Sequence, residues 1–392
     1  MTYARSRLWL GISGVGFWVT LSVAALCWDW PSRLFPAPAN TLREEGLRLV
    51  ELAAAYIALS APFDVVGGYW LPRRVGRPTE SFVGFLGSWI RAVFLQSGIL
   101  WLVWMTLLVA GRQGGRVGVL VAASTLMLIL LIAQGPLARL IGGWRVASID
   151  LGPYRRVLAS WGLQMPPIEV AHATDSAFVG GFIGLPGSER LIVPAAWCEG
   201  TGGATNVRRL PVDALSVHIA RRIGVLHGGS RWRGVVVAVS WNLLGLFLSI
   251  VLTGADVATI AGLLTLGCGF TVWSFLGLLV LPSCSRAGVF EGDSFAAEHG
   301  AQRALLENTM STLDRWQDDE PARPALVETI FHPVPSVRSR IRRLRERRPP
   351  RRGAWQAARM ALFLSWGCLG VLSRAVHCNS GRPELWVLFP GD

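Results

Sequence analysis

Leu215-Ser216-Val217-His218-Ile219-Ala220-Arg221-Arg222-Ile223-Gly224-Val225-Leu226-His227-Gly228 runs almost directly into the apolar stretch 233–253. Its apolar residues recur at helical spacing, so it reads as an amphipathic helix. The stretch behind it is long enough to cross a hydrocarbon core of about 30 Å. A second apolar stretch, 256–282, follows after the shortest of loops. Polar regions 135–232 and 283–352 therefore flank a hairpin of two membrane spans. That arrangement predicts one globular domain assembled from both sides of the hairpin.

Working outward, four more stretches qualify as spans: 8–28, 47–70, 82–110 and 117–134. A seventh, 356–373, is short and interrupted by Arg359, so it either spans or lies on the surface. Only 16% of the 392 residues are charged, well below the quarter usual in a soluble domain. The formal net charge is +13, carried entirely by Arg. In a chain with several spans such an excess marks cytoplasmic loops rather than a nucleic-acid surface, and the aromatics sit in spans, away from the Arg clusters. One topology places Arg5, Arg7, Arg73, Arg74, Arg77, region 135–232 and the nine arginines of 338–352 on one side. It puts the N-terminus and both polar regions in the cytoplasm, as expected of a bacterial inner-membrane protein. Glu51, Asp64 and Arg91 fall within spans, where ionisable groups face the bundle interior or sit near an interface. The six cysteines form no CxxC pair and read as free thiols. The run 8–28 is too long for a cleaved signal and reads as an anchor.

The chemistry of the opening stretch turns on one window. In zincins, HExxH places two His four residues apart on one helical face to hold Zn²⁺, with the Glu as general base. Here the window is His218-Ile219-Ala220-Arg221-Arg222. Further on stand His227, then Val289-Phe290-Glu291-Gly292-Asp293 leading to His299-Gly300, and then His332-Pro333 before Arg340-Ile341. Upstream are Pro62-Phe63-Asp64 to Gly67-Gly68-Tyr69, Asp175-Ser176-Ala177-Phe178 and the strand-like Leu191-Ile192-Val193-Pro194.

In order and in placement relative to the spans, these segments resemble the membrane zinc metallopeptidases of the HtpX and CAAX prenyl protease type, a gluzincin family. The resemblance covers roughly residues 45–345 and implies a mainly α, polytopic membrane protein with a zincin-like α+β domain built around a membrane hairpin. It implies that zinc would be held at positions 218, 222 and 289, with the general base at 219, and that Leu191–Pro194 is an edge strand. Only His218 is retained: Arg222 and Val289 stand at the other ligand positions and Ile219 at the base. Val and Ile have no donor atoms, and Arg is permanently cationic. The matching Asp of the family supports the site from behind, so Asp293 is expected to pair with Arg222 or, as a helix N-terminal residue, to be satisfied locally. His227 and His332 are expected to line the cleft. No pair among His227, Glu291, His299 and His332 has ligand spacing on one helical face, and His299 reads as a helix end before Gly300.

The expected organisation is a four-span membrane region (1–134), peptidase-like parts at 135–232 and 283–347, the hairpin 233–282, and a linker and tail (348–392) in which Pro349 and Pro350 break the chain. The expected function is that of a pseudopeptidase without a cofactor, in contact with the bilayer and with membrane proteins or peptides, and not with nucleic acid. Two alternatives stand beside it: an active zinc metallopeptidase with non-standard ligands, and a transporter of small molecules or lipids that uses Glu51, Asp64 and Arg91.

Overall fold

The computed structural model describes residues 2–36, 41–77, 80–175, 177–198, 209–317, 320, 322–346 and 352–388. Ser176 and the Pro349-Pro350 break lie outside the described residues. The helices used below are α1 (Tyr3–Cys27), α2 (Leu42–Val65), α3 (Phe82–Gly142), α4 (Gly152–Ser160), α5 (Val212–His227), α6 (Ser230–Thr253), α7 (Ile260–Glu298), α8 (Arg303–Gln317), α9 (Ala325–Phe331), α10 (Val337–Arg345) and α11 (Ala357–Leu364). Four short strands are β1 (Arg145–Ala147), β2 (Ile168–His172), β3 (Gly181–Ile183) and β4 (Arg190–Pro194).

The chain divides into two compact units. The first comprises Met1–Gly142, Ala238–Gly277 and Ala361–Val387. Five helices among the described residues are long and apolar enough to cross a bilayer, and only 22–39% of each apolar window is buried. Side chains such as Phe94, Val83 and Leu252 stand outward. Apolar surface on that scale is stable only against lipid, so the protein is an integral membrane protein. Thr2 and Thr41 cap α1 and α2 by accepting from the N–H groups of Arg5 and Glu44. The stretches 82–110 and 117–134 join as α3, which changes direction at Gly115 (φ 56°, ψ −141°), a conformation open to glycine alone. Arg91 Nη2 reaches the Ile141 carbonyl at 3.5 Å, although 50 residues of straight helix would separate them by about 75 Å.

The membrane carboxylates have different surroundings. Asp64 is buried and accepts from Arg374, from Trp89 Nε1 at 3.0 Å and from the Gly381 N–H at 2.8 Å. Glu45 pairs with Arg112, whereas Glu51 and Arg91 are exposed. Asp64 thus anchors the C-terminal segment. That segment is not a seventh span: α11 has eight residues, about 12 Å of helix, and 3₁₀ turns with buried Trp366 and Trp386 follow it.

The second unit comprises Gly143–Val237, Leu278–Met360 and Leu388–Asp392. Its sheet has the order β1-β2-β4-β3, with β2 parallel to β4 and the outer pairs antiparallel. Leu191–Pro194 is therefore an inner strand rather than the expected edge. Its buried Leu191, Ile192 and Val193 form a continuous apolar run, the mark of a strand covered on both faces. A single core joins this sheet to α4, α5, α8, α10 and the end of α7, through residues such as Tyr154, Val193, Ile219, Val289 and Met310. α7 departs from expectation by running on for 39 residues through Pro282. It ends with Ala301 N–H on the Ala296 carbonyl at 3.1 Å and Gly300 at φ +103°, as the His299-Gly300 pair suggested.

Candidate functional site

α5 is buried from Ala214 to Val225, packed against α4 and α8 and crossed by α7. A Cβ on Gly224 would meet Phe295 Cβ at 2.6 Å, and one on Gly292 would meet the Arg221 carbonyl oxygen at 2.9 Å. Glycine at both crossing points lets the two backbones approach closely. The packing places His218, Ile219 and Val289 in the same core, at 0%, 1% and 3% exposure.

His218 meets the Trp197 ring edge-on, with centroids 5.1 Å apart. Four residues along the same face, Arg222 directs Nε to His218 Nε2 at 3.4 Å. A guanidinium nitrogen can only donate, so Nε2 of His218 is the acceptor and the imidazole proton resides on Nδ1. Arg222 also lies over the Trp355 ring at 4.7 Å from its centroid, a cation–π contact in a buried setting. The lone pair that a zinc-binding histidine gives to metal is thus turned toward a fixed cation.

Asp293 is not the partner of Arg222. Its Oδ1 accepts from Arg221 Nε at 2.6 Å and from Arg340 Nη2 at 2.7 Å, and its Oδ2 from Arg340 Nε at 2.8 Å. All three side chains are at most 5% exposed. Nor does Asp293 begin a helix; it lies inside α7, five residues from the end. Neighbouring residues on a helix point about 100° apart. Arg222 consequently faces His218 while Arg221 faces α7.

His227 is nine residues beyond His218, two and a half turns, and so lies on the opposite side of α5. It is exposed and stacks on Phe295 at 5.7 Å, with His299 on the same ring at 3.9 Å. Arg233 spans both oxygens of Glu291 at 2.9 and 2.8 Å and donates to the Gly228 and Gly353 carbonyls, tying the end of α5 to α7. His332 follows α9, half-buried, and its pKa is lowered to about 3 by burial first and then by Arg323 and Arg359. Among the described residues no three His, Cys, Asp or Glu side chains form a group able to hold a metal. Arg221, Trp197 and Trp355 had no signal in the sequence, whereas Arg340 was visible as the Arg of the Arg-Ile helix start.

The molecule is thus a helical integral membrane protein whose second unit joins a small mixed sheet to a buried helix crossing. No family model and no curated protein matches its sequence. In three dimensions it is similar to Ste24p of S. mikatae, with a TM-score of 0.60 over 83% of this chain and 80% of that one, at 15% identity. The likeness is one of fold.

Proposed function

We propose that this chain is a membrane-embedded member of the metallopeptidase family of CAAX protease type that has lost its zinc chemistry and acts as a pseudopeptidase, binding membrane proteins or peptides. The observation that carries the proposal is Arg222, whose guanidinium sits against His218 Nε2 and over Trp355. His218, Arg222 and Val289 do not fit zinc as a set, since they offer one nitrogen and a permanent positive charge. Position 219 supplies no base to take a proton from water. Peptide binding is supported by β1, which ends the sheet among the described residues, and by a cavity of about 750 Å³ lined from β1, β2 and β4 by residues that include Ala147, Glu169 and Arg190. An extended segment adds naturally to such an edge.

Zinc per chain in the purified protein tests this reading. The wild type is expected to carry no stoichiometric zinc; one zinc per chain, lost in His218→Ala, overturns the proposal. In Ile219→Glu/Arg222→His/Val289→Glu, two carboxylates enter a core and destabilise the metal-free protein. Zinc should restore that stability, because binding and folding are coupled. A well-folded triple variant that ignores zinc would refute the assigned ligand positions.

A further inference from the structure

Five arginines decorate α10, and the structure sorts them. Arg340 is committed to Asp293 and Arg345 to Glu307. The other three, Arg338, Arg342 and Arg343, line a cavity of about 420 Å³ in the second unit, together with Arg286 of α7 and Arg323. Against these five guanidiniums the described residues of the cavity wall include two carboxylates, Glu328 and Glu346. Glu328 is buried and accepts from Ser339 Oγ at 3.3 Å. Thr329, Ser336 and Ser339 add hydroxyls, and Ser336 caps α10, so the positive end of that nine-residue helix opens on the same space. Phe290 forms an apolar wall, with Arg343 over its ring at 4.7 Å.

We infer that this cavity binds a phosphate-bearing anion, a lipid headgroup by preference. Planar guanidinium forks match phosphate oxygens in geometry as well as charge, and hydroxyls and helix N–H groups complete the set of donors. The position along α7 points to lipid. Arg286 stands four residues, about 6 Å of helix, beyond the apolar run that ends at residue 282. The headgroup layer occupies the first 5–8 Å or so outside the hydrocarbon core. Clustered arginines at that depth attract anionic lipid.

The test uses the full chain in nanodiscs and follows the rate of tryptic cleavage within α10. In phosphatidylglycerol nanodiscs cleavage should be slower than in phosphatidylcholine, about tenfold at ten times the Kd. Inorganic phosphate added to phosphatidylcholine nanodiscs separates the sources. Protection by phosphatidylglycerol alone identifies a headgroup site, and equal protection by phosphate identifies one open to soluble anions. Arg338→Gln/Arg342→Gln and, on a separate element, Arg286→Gln should each abolish protection, whereas Arg315→Gln on α8 should retain it. Absence of protection in the wild type overturns the inference. So does protection that persists in either cavity variant with an unchanged melting midpoint in phosphatidylcholine.

Discussion

Asp293 holds two guanidiniums within the second unit, and its value to the fold depends on all three charges being present. Removing one partner of a buried ion cluster costs about 3–5 kcal/mol, whereas replacing the cluster with apolar side chains of similar size is often neutral. Asp293→Ala, which removes the carboxylate from between Arg221 and Arg340, is therefore expected to cost that much. Arg221→Met/Asp293→Leu/Arg340→Met should cost far less, despite changing three residues. Urea-dependent proteolysis compares the two; a triple variant weaker than the single would show that the charges themselves stabilise the unit. At this scale the sequence was partly legible. His218, Ile219 and Arg222 declare their relation through fixed spacing on one helix, and Val289 through its place after the hairpin. Which of two adjacent arginines meets Asp293 is set by a rotation of about 100°, and nothing in the order Arg221-Arg222 encodes it.

Helices were legible where hydrophobicity alone drives them, and their ends were not. α7 was expected to stop near residue 282 because the composition turns polar there, yet the backbone continues through Pro282 to Glu298. Proline removes one helical hydrogen bond, a loss that packing on both sides outweighs. β4 was expected at an edge from the resemblance alone, and its outer neighbour β3 is a strand of only three residues. The α5–α7 crossing has a plain test. Gly224→Ala forces Cβ into Phe295, and overpacking of this kind typically costs about 1–3 kcal/mol. Gly98→Ala, on α3 with open space around it, should be tolerated. The ratio of their unfolding midpoints to that of the wild type measures the effect. Equal tolerance of both substitutions would mean that the helices are not in the close contact that positions His218 and Val289.

The architecture of the whole molecule was the most legible, because spans and the hairpin follow from hydropathy while the two polar flanks have nowhere else to fold. The buried C-terminal segment was the exception: it is apolar like a span yet too short to be one, and its role rests on Arg374 meeting Asp64 across 310 residues of sequence. The placement of Arg gives an expected orientation in the bilayer, and two native cysteines can test it. Cys27 ends α1 and Cys284 lies just past the apolar part of α7; both are exposed. With the N-terminus inside, α1 delivers Cys27 to the outer face, and the odd number of crossings that follows (α2, the two arms of α3, α6 and α7) returns Cys284 to the cytoplasmic side. In a Cys378→Ser background, a membrane-impermeant maleimide applied to spheroplasts should label Cys27 alone. Cys284 should react only after permeabilisation, and Cys27→Ser should abolish the external signal. Cys198, Cys268 and Cys368 are buried and should stay silent throughout. External labelling of Cys284 would invert the topology and move the α10 cavity to the opposite leaflet. Labelling of both cysteines would require an even number of crossings between them, contrary to the reversal of α3 at Gly115.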